Sequence, residues 1–181
     1  MKKQRVVITG GPGTGKTSLV SALENRGENC FHEISREIIL KAREKGIEQL
    51  FLKDPLLFSE QLLDGRLRQF NNTAQFKDSD NTAVFFDRGL PDVVAYLNFK
   101  QESYPKAFDT MCETYRYDTI FILPPWEKIY RQDNERYESF DEALKIYHAL
   151  DATYRQYGYA PIEIPKMAVD ERIDFIYNNI I

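Results

Sequence analysis

One stretch near the start of the chain has residue types and a spacing suited to binding phosphate. Residues 10–17 read GGPGTGKT and fit the Walker A pattern, G-x-x-x-x-G-K-[ST]. Glycines let successive backbone N–H groups point at one anion, and a helix beginning there adds the positive end of its dipole. Lys16 can reach the β- and γ-phosphates, and the Thr17 hydroxyl can hold Mg²⁺. The residues expected to bind a nucleoside triphosphate are Gly11, Pro12, Gly13, Thr14, Gly15, Lys16, Thr17 and Ser18.

A second charged group follows the strand predicted over residues 82–86. Asp87 is suited either to binding Mg²⁺ through water or to acting as a base on an acceptor hydroxyl. Arg88 is suited to holding a phosphate or an acceptor group. The competing interpretation is a surface ion pair that closes the strand. The phosphate-binding loop upstream favours the catalytic interpretation.

Glu33 lies at the carboxyl end of a weaker strand predicted around residues 28–34. A carboxylate there would face the γ-phosphate from the side on which a phosphoryl acceptor must stand. Glu33 therefore competes with Asp87 for the role of base. An acid at a solvated helix start is an equally good explanation, because a carboxylate stabilises the first turn.

Arg131 and Arg136 lie in a charged, irregular segment between two predicted helices. Two arginines there suit a lid over residues 126–140 that closes on a triphosphate and stabilises the transferred phosphoryl group. A plain solvated loop is the alternative. For Arg66 and Arg68, on a long helix predicted over residues 55–76, a solvated helix face is the favoured interpretation.

These residues need a scaffold of strands that alternate with helices. Short, apolar and nearly continuous strands are predicted over residues 5–9, 28–34, 82–86, 119–123 and 162–164. Such runs are typical of a parallel sheet covered by helices on both faces. Because each polar motif follows a strand, all should meet at the carboxyl edge of the sheet, where ligands bind in α/β folds.

Composition excludes several other classes of protein. The chain has 181 residues, a net charge of -4 and two cysteines, Cys30 and Cys112. That length suits a single domain over residues 1–181, and the mildly acidic balance does not suit general nucleic-acid binding. No apolar run is long enough for a membrane span or a secretory leader. We expect a cytoplasmic monomer or homodimer.

Two further stretches carry a family resemblance: FFDRGLPDVVAYL at residues 85–97 and PPWEKIYRQDNERYESFDEALKIYHAL at residues 124–150. With Walker A, they make the chain resemble the small AAA-type P-loop ATPases related to the kinase domain of bacterial ribosylnicotinamide kinase. It is more distantly similar to nucleoside and nucleotide kinases. The resemblance implies a three-layer P-loop NTPase fold, with five parallel strands in the order 2-3-1-4-5, and binding of ATP and Mg²⁺.

The resemblance also implies roles for individual residues. Adenine would lie near Arg131 and the loop containing Pro165 and Lys166, and an acid at Glu33 would be the base. Nucleoside kinases usually carry Glu-Arg-Ser where this chain has Asp-Arg-Gly at residues 87–89, so the serine hydroxyl is missing.

The prediction is a kinase that transfers the γ-phosphoryl group of ATP, with Mg²⁺, to the hydroxyl of an unidentified, nucleoside-like small molecule. Its catalytic residues would be Lys16, Glu33, Asp87, Arg88, Arg131 and Arg136, with Thr17 and Asp87 as metal ligands. The alternative is a regulatory ATPase or switch that hydrolyses ATP or GTP and acts on a protein or lipid partner. No Asn-Lys-x-Asp guanine signature occurs in the chain.

Overall fold

A computed structural model describes residues 3–48, 50–76, 81–130 and 139–180. In these ranges the chain forms a five-stranded, fully parallel sheet in the order β2-β3-β1-β4-β5. The strands are β1 (Gln4–Gly10), β2 (Asn29–Phe31), β3 (Ala83–Asp87), β4 (Thr119–Leu123) and β5 (Ile162–Glu163). The predicted fold and strand order are confirmed.

Helices connect the strands and cover both faces of the sheet. They are α1 (Lys16–Asn25), α2 (Ser35–Glu44), α3 (Leu50–Lys53), α4 (Pro55–Asn71), α5 (Leu90–Lys100), α6 (Ala107–Thr114), α7 (Phe140–Gln156) and α8 (Val169–Asn179). A 3₁₀ helix, Asn72–Phe76, continues α4. Among the described residues, no helix combines the length and the apolar character needed to cross a membrane.

The strands divide their side chains between two apolar layers, because successive residues of a strand point to opposite faces. Val6 and Ile8 pack with α1 and α8 on one face. Val7, between them, packs on the other face in the cluster formed with α4, α5, α6 and α7. This two-sided burial explains why the strands are apolar throughout.

Local signals set several helix ends as the sequence predicts. Asp54 caps α4 by accepting a hydrogen bond from the Leu57 backbone N–H at 2.9 Å, and Pro55 is the first helical residue. Ser139 and Glu142 form a capping box at the start of α7, as the spacing of a serine and a glutamate three residues apart indicates. These caps fix where the two 17-residue helices begin.

Some boundaries and faces differ from the predictions. The long helix loses α-helical geometry at Asn71 rather than near Phe76. The helical period of the sequence puts Leu57 of α4 and Tyr177 of α8 with inward-facing apolar residues, but they are 37% and 38% exposed. Both residues lie at the edge of an apolar stripe, where the 3.6-residue period does not separate buried from exposed positions.

Candidate functional site

The phosphate-binding loop connects β1 to α1, as its pattern predicts. Gly13 and Gly15 have φ values of 71° and 83°, in the left-handed region that favours glycine. A Cβ atom on Gly13 would lie 2.7 Å from Cδ2 of Tyr130, so the loop has no room for a side chain there. The buried Thr14 hydroxyl donates to the Gly11 carbonyl at 3.0 Å and closes the turn. The loop is thus a compact backbone cradle.

Lys16 begins α1 and is partly buried, while Thr17 and Ser18 are exposed in the first turn. Burial lowers the pKa of Lys16 to about 8, and Arg88 acts in the same direction, against the opposing charges of Asp87 and Glu33. These groups therefore act on one another electrostatically. Four of the predicted site residues thus form one charged cluster at the carboxyl edge of the sheet: Lys16, Glu33, Asp87 and Arg88.

Asp87 is the last residue of β3 and is only 5% exposed. Its Oδ1 atom is buried and has no hydrogen-bond partner among the described residues. Burial raises the pKa of Asp87, although Lys16 and Arg88 oppose the shift. A buried carboxylate oxygen without a donor is unusual enough to indicate a ligand. The interpretation of Asp87 as part of a surface ion pair does not fit this burial.

Glu33 is saturated with hydrogen-bond donors. Its Oε2 pairs with Nε of Arg88 at 2.5 Å, and its Oε1 pairs with Arg66 at 3.3 Å. Oε1 also accepts from the backbone N–H groups of Ile34 and Ser35, at 3.0 and 3.1 Å. Burial by itself would raise the pKa of Glu33, but Arg66, Arg88 and Lys16 lower it to about 2.

The burial of Arg66 contradicts the sequence-based prediction that it lies on a solvated helix face. Arg66 is 3% exposed, whereas Arg68 is exposed. Its guanidinium group also donates to the Gly89 carbonyl at 3.1 Å, and its Nε is buried without a partner among the described residues. Arg66 lies in the apolar stripe of α4 that includes Leu63 and Phe70. An arginine within such a stripe is the signal that could have revealed it.

Asp92, in the first turn of α5, was not singled out as a site residue. It is fully buried, and its Oδ1 accepts from the Thr9 hydroxyl at 2.6 Å and from Arg88 at 3.1 Å. Its Oδ2 accepts from the Gly89 backbone N–H at 2.9 Å and from the Tyr154 hydroxyl at 2.6 Å. A lone acid in the otherwise apolar start of α5 was the available sequence signal.

In the structure, another residue fills the space that a serine side chain at position 89 would need. A Cβ atom on Gly89 would lie 2.7 Å from the Tyr154 hydroxyl oxygen. A tyrosine hydroxyl from α7 therefore occupies the space next to Gly89 that a side chain would need.

A cleft of about 400 Å³ adjoins the phosphate-binding loop on the side of α8. Gly13, Gly15, Ser18, Trp126, Met167 and Arg172 are among the residues that line it. The Arg172 guanidinium lies 5.0 Å from the centre of the Trp126 ring and donates to the Thr14 carbonyl at 3.3 Å. Burial lowers the pKa of Arg172. From the sequence, Trp126 was placed only within the predicted lid and Arg172 had no predicted role.

The other residues predicted to bind the nucleotide lie either in a loop beside the cleft or outside the described residues. Pro165 is partly buried and Lys166 is exposed in the loop between β5 and α8, and this loop reaches the cleft through Met167. Arg131 and Arg136 lie outside the described residues, as does most of the predicted lid. Their roles stay predictions.

Comparisons with known proteins agree with this fold. A family model described as an AAA domain matches residues 5–172. The deoxyadenosine kinase from M. mycoides, solved with dCMP and dCDP, superposes with a TM-score of 0.68 at 17% identity, over 97% of each chain. The thymidylate kinase from Ehrlichia chaffeensis gives a TM-score of 0.65 at 12% identity, over 98% of this chain and 99% of the other.

The NadR protein in complex with NR superposes with a TM-score of 0.64 at 20% identity. That match covers 97% of this chain and 49% of NadR, so the chain spans about half of that protein. At these identities the superpositions show a shared fold. No curated protein matches the chain in a sequence search.

Proposed function

We propose that this chain, which belongs to the AAA domain family, is a P-loop kinase that transfers the γ-phosphoryl group of ATP to the hydroxyl of a small, nucleoside-like acceptor. One observation carries the proposal. The Oδ1 atom of Asp87 is buried and has no hydrogen-bond partner in the described part of the chain, and Asp87 lies in the same charged cluster as Lys16 of the phosphate-binding loop and the Glu33–Arg88 pair. Such a cluster offers phosphate-binding and proton-accepting groups side by side.

ATP fits the loop and the cleft beside it. The backbone of residues 11–15 and Lys16 would hold the phosphates, as in other loops with this pattern. The Trp126–Arg172 cleft has the size and the mixed aromatic and polar lining of a small-molecule site. We infer that it takes the nucleoside end of ATP, with the loop at Pro165 and Lys166 at its border.

The residues present also fit Mg²⁺. Magnesium takes one or two protein oxygens and completes its shell with water and phosphate. The Thr17 hydroxyl and Asp87, through water, are the ligands that we propose. Within the described ranges, no three His, Cys, Asp or Glu side chains are placed to hold a metal ion by themselves. When bound, the metal supplies positive charge to the phosphate oxygens.

Asp87 suits the role of base better than Glu33 does. A general base works best when its pKa lies near the working pH. The pKa of Glu33 is about 2, and both of its oxygens already accept hydrogen bonds from Arg66 and Arg88. Burial raises the pKa of Asp87, and its Oδ1 is available. We therefore propose that Oδ1 takes the proton of the acceptor hydroxyl, while Glu33 holds the two arginines.

The same ion pairs favour an uncharged acceptor. Arg88 is paired with Glu33 and Asp92, and Arg66 is paired with Glu33. A phosphorylated acceptor would have to displace Glu33 from both guanidinium groups. A nucleoside hydroxyl requires no such rearrangement, so a nucleoside fits better than a nucleoside monophosphate.

The test measures ADP release from ATP and Mg²⁺ with panels of nucleosides and of nucleoside monophosphates. We expect a nucleoside to stimulate release many-fold. Asp87→Asn should keep ATP binding and lose about 10²–10⁴-fold in stimulated turnover, as for removal of a general base. Asp174→Asn, an exposed carboxylate change on α8, is the control and should retain turnover.

Three results would contradict the proposal in different ways. If no acceptor stimulates ADP release although ATP binds tightly, the hydrolysing switch is favoured instead. If only monophosphates stimulate release, the acceptor is charged. If Asp87→Asn turns over normally, Asp87 is not the base.

A further inference from the structure

We propose that Asp92 and the Tyr154 hydroxyl are positioning residues that fix the Arg88 guanidinium on the acceptor side of the phosphate-binding loop. The inference rests on the proposed function, because Arg88 matters there as a group beside the reacting phosphoryl. It assigns a role to two buried polar residues that the phosphoryl transfer itself does not use.

Arg88 needs to be held, because its own backbone is strained. Its φ of 76° lies in the left-handed region, which a non-glycine residue adopts at a cost of about 1–2 kcal/mol. Its backbone N–H donates to the Ile8 carbonyl at 3.1 Å, which fixes the main chain beside β1. Strain of this kind persists only where surrounding contacts determine the conformation.

Asp92 supplies a contact that holds the side chain of Arg88. Nη1 of Arg88 lies 3.1 Å from Oδ1 of Asp92, while its Nε is paired with Glu33. Two carboxylates on different elements thus bind two edges of one guanidinium group. A planar group bound at two edges has a fixed orientation as well as a fixed position.

Helix capping explains only one of the four hydrogen bonds that Asp92 accepts. The capping box of α5 uses the bond from the Gly89 N–H to Oδ2. Oδ1 instead serves Arg88 and the hydroxyl of Thr9, the residue of β1 just before the phosphate-binding loop. Since a carboxylate has about four lone-pair sites, all of them are filled. Asp92 therefore joins the end of β1 to Arg88.

Tyr154 fixes the carboxylate of Asp92 in turn. Its hydroxyl donates to Asp92 Oδ2 at 2.6 Å, and the residue is fully buried on α7. The absence of a side chain at Gly89 leaves room for this hydroxyl. Without it, one oxygen of Asp92 would lose a partner in the protein interior, and the carboxylate would be free to rotate away from Arg88.

Tyr154→Phe tests the inference, because it removes only the hydroxyl from a buried ring. Tyr157→Phe is the matched control. Tyr157 is also buried, at the C-terminal end of α7, and its hydroxyl donates to Asp109 of α6 at 2.5 Å rather than to Asp92. Both variants lose one phenol–carboxylate hydrogen bond, so similar decreases in melting temperature are expected.

Two measurements separate positioning from a general loss of stability. One is kcat with the stimulating acceptor, together with ATP affinity followed by the fluorescence of Trp126, the single tryptophan of the chain. The other is the NMR signal of the Arg88 Nε–H, assigned by its loss in Arg88→Lys. We expect Tyr154→Phe to lose about tenfold or more in kcat, as for a misplaced catalytic group, with ATP affinity unchanged.

The Arg88 Nε–H should also exchange with water faster in Tyr154→Phe than in the wild type, and no faster in Tyr157→Phe. The inference is overturned if the two variants behave alike in kcat and in Nε–H exchange. If the wild-type protein shows no acceptor-stimulated ADP release, the proposed function fails. The exchange rate of the Arg88 Nε–H then tests the inference by itself, because that measurement requires no turnover.

Discussion

Glu33 joins two guanidinium groups that would otherwise lie unpaired inside the protein. Arg66 and Arg88 are 4% and 12% exposed as side chains, and both pair with this one carboxylate. Burying a charge is costly unless it is paired and hydrogen-bonded, so the net stabilisation from the cluster is small while the penalty for breaking it is large. Glu33, one of the two candidate bases, thus links α4 to the end of β3 through its ion pairs with Arg66 and Arg88.

Glu33→Gln should destabilise the protein by about 3 kcal/mol at neutral pH, because it leaves two buried guanidinium groups without their shared partner. Chemical denaturation measures the change. Glu37→Gln is the control: it removes an exposed carboxylate paired with Lys41 on the same helix and should cost less than about 0.5 kcal/mol.

The effect of Glu33→Gln should also depend on pH. The pKa of Glu33 is about 2 in the folded protein and 4.5 ordinarily. Its stabilisation is therefore fully present above about pH 4.5 and is lost as the pH falls toward 2. The difference between wild type and Glu33→Gln should narrow over that range. A difference that stays constant down to pH 2 would show that the carboxylate does not hold the arginines.

At the scale of elements, the strand–loop–helix unit of β1, the phosphate-binding loop and α1 is locally specified. The loop needs left-handed backbone at Gly13 and Gly15, and α1 follows directly at Lys16. Tyr130 packs against the loop at Gly13, and Arg172 of α8 donates to the carbonyl of Thr14. Two side chains distant in sequence thus support the shape that the loop sequence permits.

Gly13→Ala should abolish ATP binding, since the new Cβ would lie 2.7 Å from the Tyr130 ring and force the loop to move. Gly27→Ala is the matched control, because Gly27 has a similar left-handed φ of 87° and nothing within 4 Å of a Cβ atom. Each change should cost about 1–2 kcal/mol of backbone strain.

Fluorescence of Trp126 and thermal unfolding measure binding and stability separately for these two variants. Equal ATP affinity in Gly13→Ala and the wild type would show that the phosphate-binding loop tolerates a side chain at position 13. Loss of affinity in Gly27→Ala would show that strain by itself impairs binding.

At the scale of the whole molecule, the parallel sheet brings distant residues to one edge. The ends of β1, β2 and β3 are neighbours through the order β2-β3-β1. Residues 16, 33 and 87 are therefore close although long stretches of chain separate them. A ligand that binds at this edge contacts several elements at once, so its binding energy stabilises the entire fold.

ATP with Mg²⁺ at 100 times its dissociation constant should raise the free energy of unfolding by about 2.7 kcal/mol. For a chain of this size the melting temperature should rise by about 5–10 °C. Lys16→Ala should abolish the shift, because Lys16 would bind the phosphates, and Lys41→Ala, an exposed change on α2, should retain it. An undiminished shift in Lys16→Ala would remove Lys16 from the site.

The sequence by itself determined the features that are local in the chain. The phosphate-binding loop spans eight consecutive residues, so its chemistry can be predicted from the types and spacing of those residues. The apolar runs marked the strands, the caps at Asp54 and Ser139 marked two helix starts, and the resemblance gave the strand order and the relation to P-loop kinases.

Only the tertiary structure decided which polar side chains meet. Arg66 and Glu33 are 33 residues apart, Asp92 and Tyr154 are 62 apart, and Thr14 and Arg172 are 158 apart. Periodicity shows which face of a helix is buried, but not which side chain of another element it contacts. Those contacts follow from how the helices pack on the twisted sheet. The loop could therefore be read from its residues, whereas the cluster that holds Arg88 became visible only in the folded chain.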